Sequence, residues 1–114
     1  MKFDENELNL MFGDDPEIFQ EIFGDFVDSY NQMLQEVEKS ITDRNSEGLQ
    51  ISAHTLKGVL ATFCSTVAKE HAFELEEMGR DGKFDDVEAK YEVLKTEVGH
   101  LIDELKNFSF NQAA

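Results

Sequence analysis

Apolar residues recur at alternating spacings of four and three along most of this chain. Such spacing fits the buried stripe of an α-helix and excludes the two-residue alternation of a half-buried strand. The clearest run is Leu49, Ala53, Leu56, Leu60, Phe63 and Val67, and a second is Val87, Tyr91, Leu94, Val98, Leu101, Leu105 and Phe108. Only one Pro and seven Gly interrupt the 114 residues, so helices can be long.

Stop and start signals divide the pattern. A short helix is expected from Glu5 to Phe12, ending at Gly13. Asp15 caps a long second helix, with Pro16 at its first position and Glu17 in its first turn. The stretch Asp43-Arg44-Asn45-Ser46 ends that helix and caps the next, which runs from about Glu47 to about Phe63. Ser65-Thr66 caps a helix reaching Met78, with Gly79 as its stop. Asp85 or Asp86 caps the last. Short connections between long helices imply antiparallel neighbours. The expected fold is all-α, an antiparallel four-helix bundle with an additional short N-terminal helix. It forms one domain over residues 1–114, with the short helix at about 5–12, the bundle at about 15–108 and a loose tail at 109–114.

A chain of 114 residues can build one core without disulfide or metal staples, and ten Phe supply much of its bulk. The single Cys excludes an internal disulfide and fits a reducing compartment. The start, MKFDENELNL, lacks the basic and apolar regions of a signal peptide. No apolar run approaches the ~20 residues of a membrane span, so a cytoplasmic location is expected. The net charge of −15 disfavours nucleic acid and anionic membrane surfaces, while a basic or apolar protein surface is compatible.

One helix face does not belong to the core. At about 100° per residue, His54 falls roughly 140° from the centre of the third helix's apolar seam. Ile51, Gly58, Ala61, Thr62 and Ser65 share that outward side, where Lys, Glu, Gln and Arg are usual. Gly58 in mid-helix costs about 1 kcal/mol relative to Ala, and close approach by another surface gives a physical return for it. Lys57 reaches the same region and would offset the general repulsion of a phosphoryl group by this acidic chain. An imidazole near neutral pH is largely uncharged and nucleophilic. Phosphoryl transfer asks mainly for positioning and charge neutralisation, and a partner could bring the metal and acidic pocket.

Ala53-His54-Thr55-Leu56-Lys57-Gly58 resembles the AHxLKG motif of histidine phosphotransfer (HPt) domains. Leu75-Glu76 followed by Gly79-Arg80-Asp81-Gly82 is similar to a second segment of that family, and the resemblance extends over roughly residues 14–108 in helix order. It implies that His54 is the phosphorylation site, that Lys57 steadies the phosphoryl group, and that Gly58 permits docking. Ala61 and Thr62 stand at typically small positions, and Ile51 and Ser65 complete the expected docking face. Val59, Leu60 and Cys64 depart from the family pattern without removing the nucleophile. The resemblance further implies a phosphocarrier in a multistep phosphorelay, taking the group from one receiver-domain aspartate and passing it to another receiver. The expected partners are response-regulator receiver domains, a hybrid sensor kinase, or both. No Gly-rich nucleotide loop is present, so no autonomous kinase or ATP-binding activity is expected, nor any cofactor, and a monomer suffices. The Met1 start favours a stand-alone protein over an excised domain.

Two other readings compete. A non-phosphorylated helical-bundle adaptor or inhibitor could dock through the same face, leaving His54 dispensable. Glu97-Val98-Gly99-His100 matches the spacing of carboxylate di-metal bundles, but no second Glu-x-x-His exists to complete such a site, so no metal is expected. His71 and His100 read as structural or surface residues, and Cys64 as a small buried hydrophobe.

Overall fold

In a computed structural model the described residues are 1–110, and they form five helices. These are α1 (Glu5–Phe12), α2 (Pro16–Thr42), α3 (Ser46–Thr62), α4 (Val67–Asp81) and α5 (Val87–Lys106). Each start has a local cause. The Asp4 carboxylate accepts from Glu7 N at 3.0 Å, Asp15 accepts from Ile18 N at 3.2 Å, and Asn45 accepts from Gly48 N at 2.9 Å. These side chains satisfy N–H groups that a helix cannot satisfy internally. Arg44 takes a left-handed φ of 51° to turn the chain between α2 and α3. Its guanidinium then closes the turn on Ile41 O and Glu88.

Helices α2 to α5 run up and down in sequence. The α3–α4 contacts pair 50 with 79, 54 with 76 and 57 with 73, which is an antiparallel order. The fully buried residues of the two apolar runs, Leu49 to Leu60 on α3 and Val87 to Leu105 on α5, meet in one core. Phe63 sits at its aromatic end, with ring centroids 5.9, 5.9 and 5.1 Å from Phe19, Phe23 and Phe26. The buried Tyr91 hydroxyl donates to Leu34 O at 3.1 Å, so α5 is pinned to α2 without an orphaned polar group.

Four details differ from the sequence reading. Helix α4 does not stop at Gly79 but continues to Asp81, and Gly82 at φ +68° is the left-handed stop. Gly79 is buried against α3, where it serves close approach instead. At the start of α4, Thr66 makes no side-chain cap, and Ser65 Oγ accepts from Lys69 N at 3.1 Å. Asp86 occupies the expected cap position of α5, yet it adopts φ 56° and its side chain caps nothing. Finally, the segment after residue 108 is not loose throughout. Phe110 is buried, 5.0 Å from Phe19 and 4.9 Å from Phe108 between ring centroids. Residues 111–114 of that tail lie outside the described residues.

The first residues add an element that periodicity does not predict. Phe3 pairs with Ser65 in a single antiparallel bridge, through Asp4 N to Cys64 O at 2.9 Å and Thr66 N to Lys2 O at 3.0 Å. Among the described residues no helix is long and apolar enough to cross a membrane.

Candidate functional site

The seam of α3 fixes the orientation of everything on its far side. Leu49, Ala53, Leu56 and Leu60 are completely buried, which turns His54 outward with 66% of its side chain exposed. Ile51 stands beside it, 58% exposed. Gly58, Ala61 and Thr62 continue the exposed strip toward the end of the helix. Two hydroxyls on this face are turned back on the helix, Thr55 to Ile51 O at 2.9 Å and Thr62 to Gly58 O at 3.2 Å. They therefore present methyl groups outward. Nothing lies within 4 Å of where a Cβ on Gly58 would stand, so no neighbour inside this domain requires the glycine.

Ser65 is not part of the strip. It is 4% exposed, paired with Phe3 and engaged in capping α4. The 100° periodicity that placed it outward holds only while the helix lasts, and α3 ends at Thr62. Cys64 then takes φ 57° and reverses the chain. The Cys64 side chain is buried, as expected. Burial raises its thiol pKa to about 11, with Glu7 and Asp4 adding to the shift.

Helix α4 contributes two side chains that the sequence reading did not assign. His54 Nδ1 lies 3.2 Å from Glu76 Oε1, and Lys57 Nζ lies 2.8 Å from the same oxygen. The Glu76 side chain is only 16% exposed. Burial alone would raise its pKa, but the Lys57 ammonium and the His54 imidazole outweigh it and hold the carboxyl below its ordinary value. Glu76 is thus an anion at neutral pH that backs both the imidazole and the ammonium. Phe73, one turn earlier on α4, places its ring under Lys57, with Nζ 4.9 Å from the centroid.

A recess of about 420 Å³ opens beside His54, bounded by Glu47, Gln50, Ile51, Thr55 and Glu76. Across the strip, Ile22, Phe26 and Met33 of α2 face Val59 and Thr62 of α3 along a shallow apolar groove. Elsewhere, Glu97 is held by Lys2 at 2.9 Å, and His100 lies 4.0 Å from its other oxygen. Glu97 thereby helps to anchor the N-terminal segment, and His100 only approaches it. Among the described residues no group of three or more His, Cys, Asp or Glu side chains is arranged to hold a metal.

This arrangement can do limited but definite chemistry. With one imidazole nitrogen set against a carboxylate, the other faces solvent from a rigid helix, and a cation stands next to it. No curated protein matches the chain. Among solved structures it is similar to the histidine-containing phosphotransfer protein B (HptB) of Pseudomonas aeruginosa PAO1. The TM-score is 0.86 at 19% identity, over 93% of this chain and 92% of that one, which establishes a shared fold. The family model for the Hpt domain matches residues 21–108, a span that includes His54, Lys57, Phe73 and Glu76. The chain belongs to the histidine phosphotransfer domain family.

Proposed function

We propose that this protein is a phosphocarrier in a multistep phosphorelay, with His54 as the residue that carries the phosphoryl group. The observation that carries this reading is the exposed His54 imidazole with Nδ1 against Glu76. A carboxylate at Nδ1 favours the tautomer with its proton there, which leaves the Nε2 lone pair directed outward. Nε2 then attacks the phosphorus of a receiver's aspartyl phosphate. The P–N bond forms, the P–O bond to the aspartate breaks, and the electron pair leaves with the aspartate carboxylate. The Nδ1 proton stays on the ring, and Glu76 offsets the positive charge that develops there. Passing the group to a second receiver reverses the same steps.

In this reading Lys57 offsets charge on the phosphoryl oxygens. Ile51, Gly58, Ala61 and Thr62 form the landing surface for receiver domains, or for the receiver of a hybrid sensor kinase. Ser65 drops out of that surface because it is buried. Small groups near the nucleophile permit the in-line approach that phosphoryl transfer demands. The protein acts as a cytoplasmic monomer that meets its partners transiently. An adaptor that merely docks through this face would have no use for a histidine and a lysine drawn together on one carboxylate oxygen.

The test is transfer of labelled phosphate from a panel of phosphorylated receiver domains to wild type and to His54→Gln. Acid-labile, base-stable label on wild type alone is the expected result. Label on the His54→Gln variant would place the phosphoryl group elsewhere. Binding to receivers without any label would favour the adaptor.

A further inference from the structure

Phe73 is a large aromatic side chain on the surface of α4, 38% exposed and outside the buried core cluster. In so acidic a chain a charged residue would be the ordinary occupant of such a site. Its surroundings supply a reason. The Lys57 ammonium lies over the ring at 4.9 Å from the centroid, inside the range of about 6 Å over which a ring face attracts a cation. Glu76 follows three positions later on α4, so ring and carboxylate share one helix face and grip Lys57 together. The result is a lysine whose side chain is only 25% exposed.

The two grips are not equivalent. The Glu76 carboxylate holds Lys57 by neutralising it, and a neutralised cation offers little field to an incoming phosphoryl group. A ring face attracts the ammonium through its quadrupole and leaves the net charge intact. Lysine otherwise has a flexible four-carbon stem, and its ammonium is free to swing into water. With Phe73 beneath it, the ammonium can turn from Glu76 to a phosphoryl oxygen on His54 without leaving its place.

We propose that Phe73 is a positioning residue for phosphotransfer, holding the Lys57 ammonium beside His54 on its ring face. This rests on the reading of His54 as the phosphoryl acceptor. Two measurements separate the two ideas. The first is the NMR shift of the Lys57 ε-methylene protons, which a ring face moves upfield. Wild type and Phe73→Tyr are expected to show the upfield shift, and Phe73→Leu, which keeps apolar bulk without the ring, is expected to lose it.

The second is the rate of His54 phosphorylation, from phosphoramidate and from a phosphorylated receiver domain. Phe73→Leu is expected to slow it roughly two- to fivefold, the size of effect a partly exposed cation–ring contact supports. Phe73→Tyr should restore it. In a Lys57→Gln background Phe73→Leu should have no further effect, whereas a merely structural role would slow both backgrounds alike. An ordinary ε-methylene shift in wild type, a Phe73→Leu rate equal to wild type, or equal slowing in both backgrounds would each overturn the proposal. If wild type accepts phosphate from neither donor, the carrier reading falls and the positioning role falls with it. The ring shift would still report whether the contact exists.

Discussion

Gly79 of α4 lies against the backbone of Gln50 in α3, so closely that a Cβ on Gly79 would stand 2.4 Å from Gln50 N and 2.8 Å from Ser46 O. Both neighbours are helix backbone and cannot rotate away. This contact sets how far α4 slides along α3, and therefore where Glu76 and Phe73 meet His54 and Lys57. Gly79→Ala is expected to force the helices apart. The substitution gains up to about 1 kcal/mol of helix propensity, yet overpacking should leave a net loss of about 1–3 kcal/mol. Urea unfolding measures the loss. Slower phosphorylation of His54 in the folded variant would report the displaced register.

Gly58 should behave in the opposite way, because a Cβ there meets open space. Gly58→Ala is expected to stabilise the protein by about 0.5–1 kcal/mol through helix propensity alone. Gly58→Gln should also fold, but its longer side chain would stand on the landing surface. Transfer from a receiver is expected to fall at least tenfold, while phosphorylation by phosphoramidate changes little. Equal loss with both donors would mean that Gly58 serves the site and not docking.

Glu76 gives a pH dependence of defined sign. Its pKa in the folded protein is lowered from the ordinary 4.5 because Lys57 and His54 outweigh the effect of burial. The stabilisation is therefore fully present above that ordinary value and is lost as pH falls through the lower folded value. Glu76→Gln should flatten part of the acid limb of stability against pH, by less than about 1 kcal/mol for a pair that still touches solvent. Urea midpoints of wild type and variant between neutral pH and pH ~3 measure it. Curves that stay parallel throughout would mean that the carboxylate is not coupled to its neighbours.

Cys64 is expected to resist alkylation in the native protein. Its side chain is buried, and burial lifts its pKa to about 11, so little thiolate exists at ordinary pH. Iodoacetamide labelling at pH ~8 should be slow until denaturant is added. Rapid labelling of folded protein would show that the turn after α3 opens.

Much of the bundle was legible in single residues. Asp15-Pro16 marks the start of α2, the stretch Asp43-Arg44-Asn45-Ser46 marks the break before α3, and the seams of α3 and α5 name their own buried faces. The outward placement of His54 was legible for the same reason, since a seam defines its opposite side. The misreadings arose where a local signal has two physical uses. A glycine near a helix end can stop the helix or admit a neighbour, and Gly79 and Gly82 divide those uses between them. Ser65 was misplaced because helical arithmetic was carried past the last helical residue. Glu76 and Phe73 went unassigned because their roles depend on the register between two helices. That register is set by Gly79 against Gln50, a contact that no spacing within one helix encodes.

In the relay proposed above, a single imidazole on one face of one helix also fixes the order of events. Donor and acceptor receivers would have to occupy the same patch around His54, so they exclude each other. Turnover then requires the first to leave before the second arrives, which gives ping-pong kinetics. An excess of either receiver should inhibit the relay by competition for that patch. Tight binding to any one partner would slow the traffic between them.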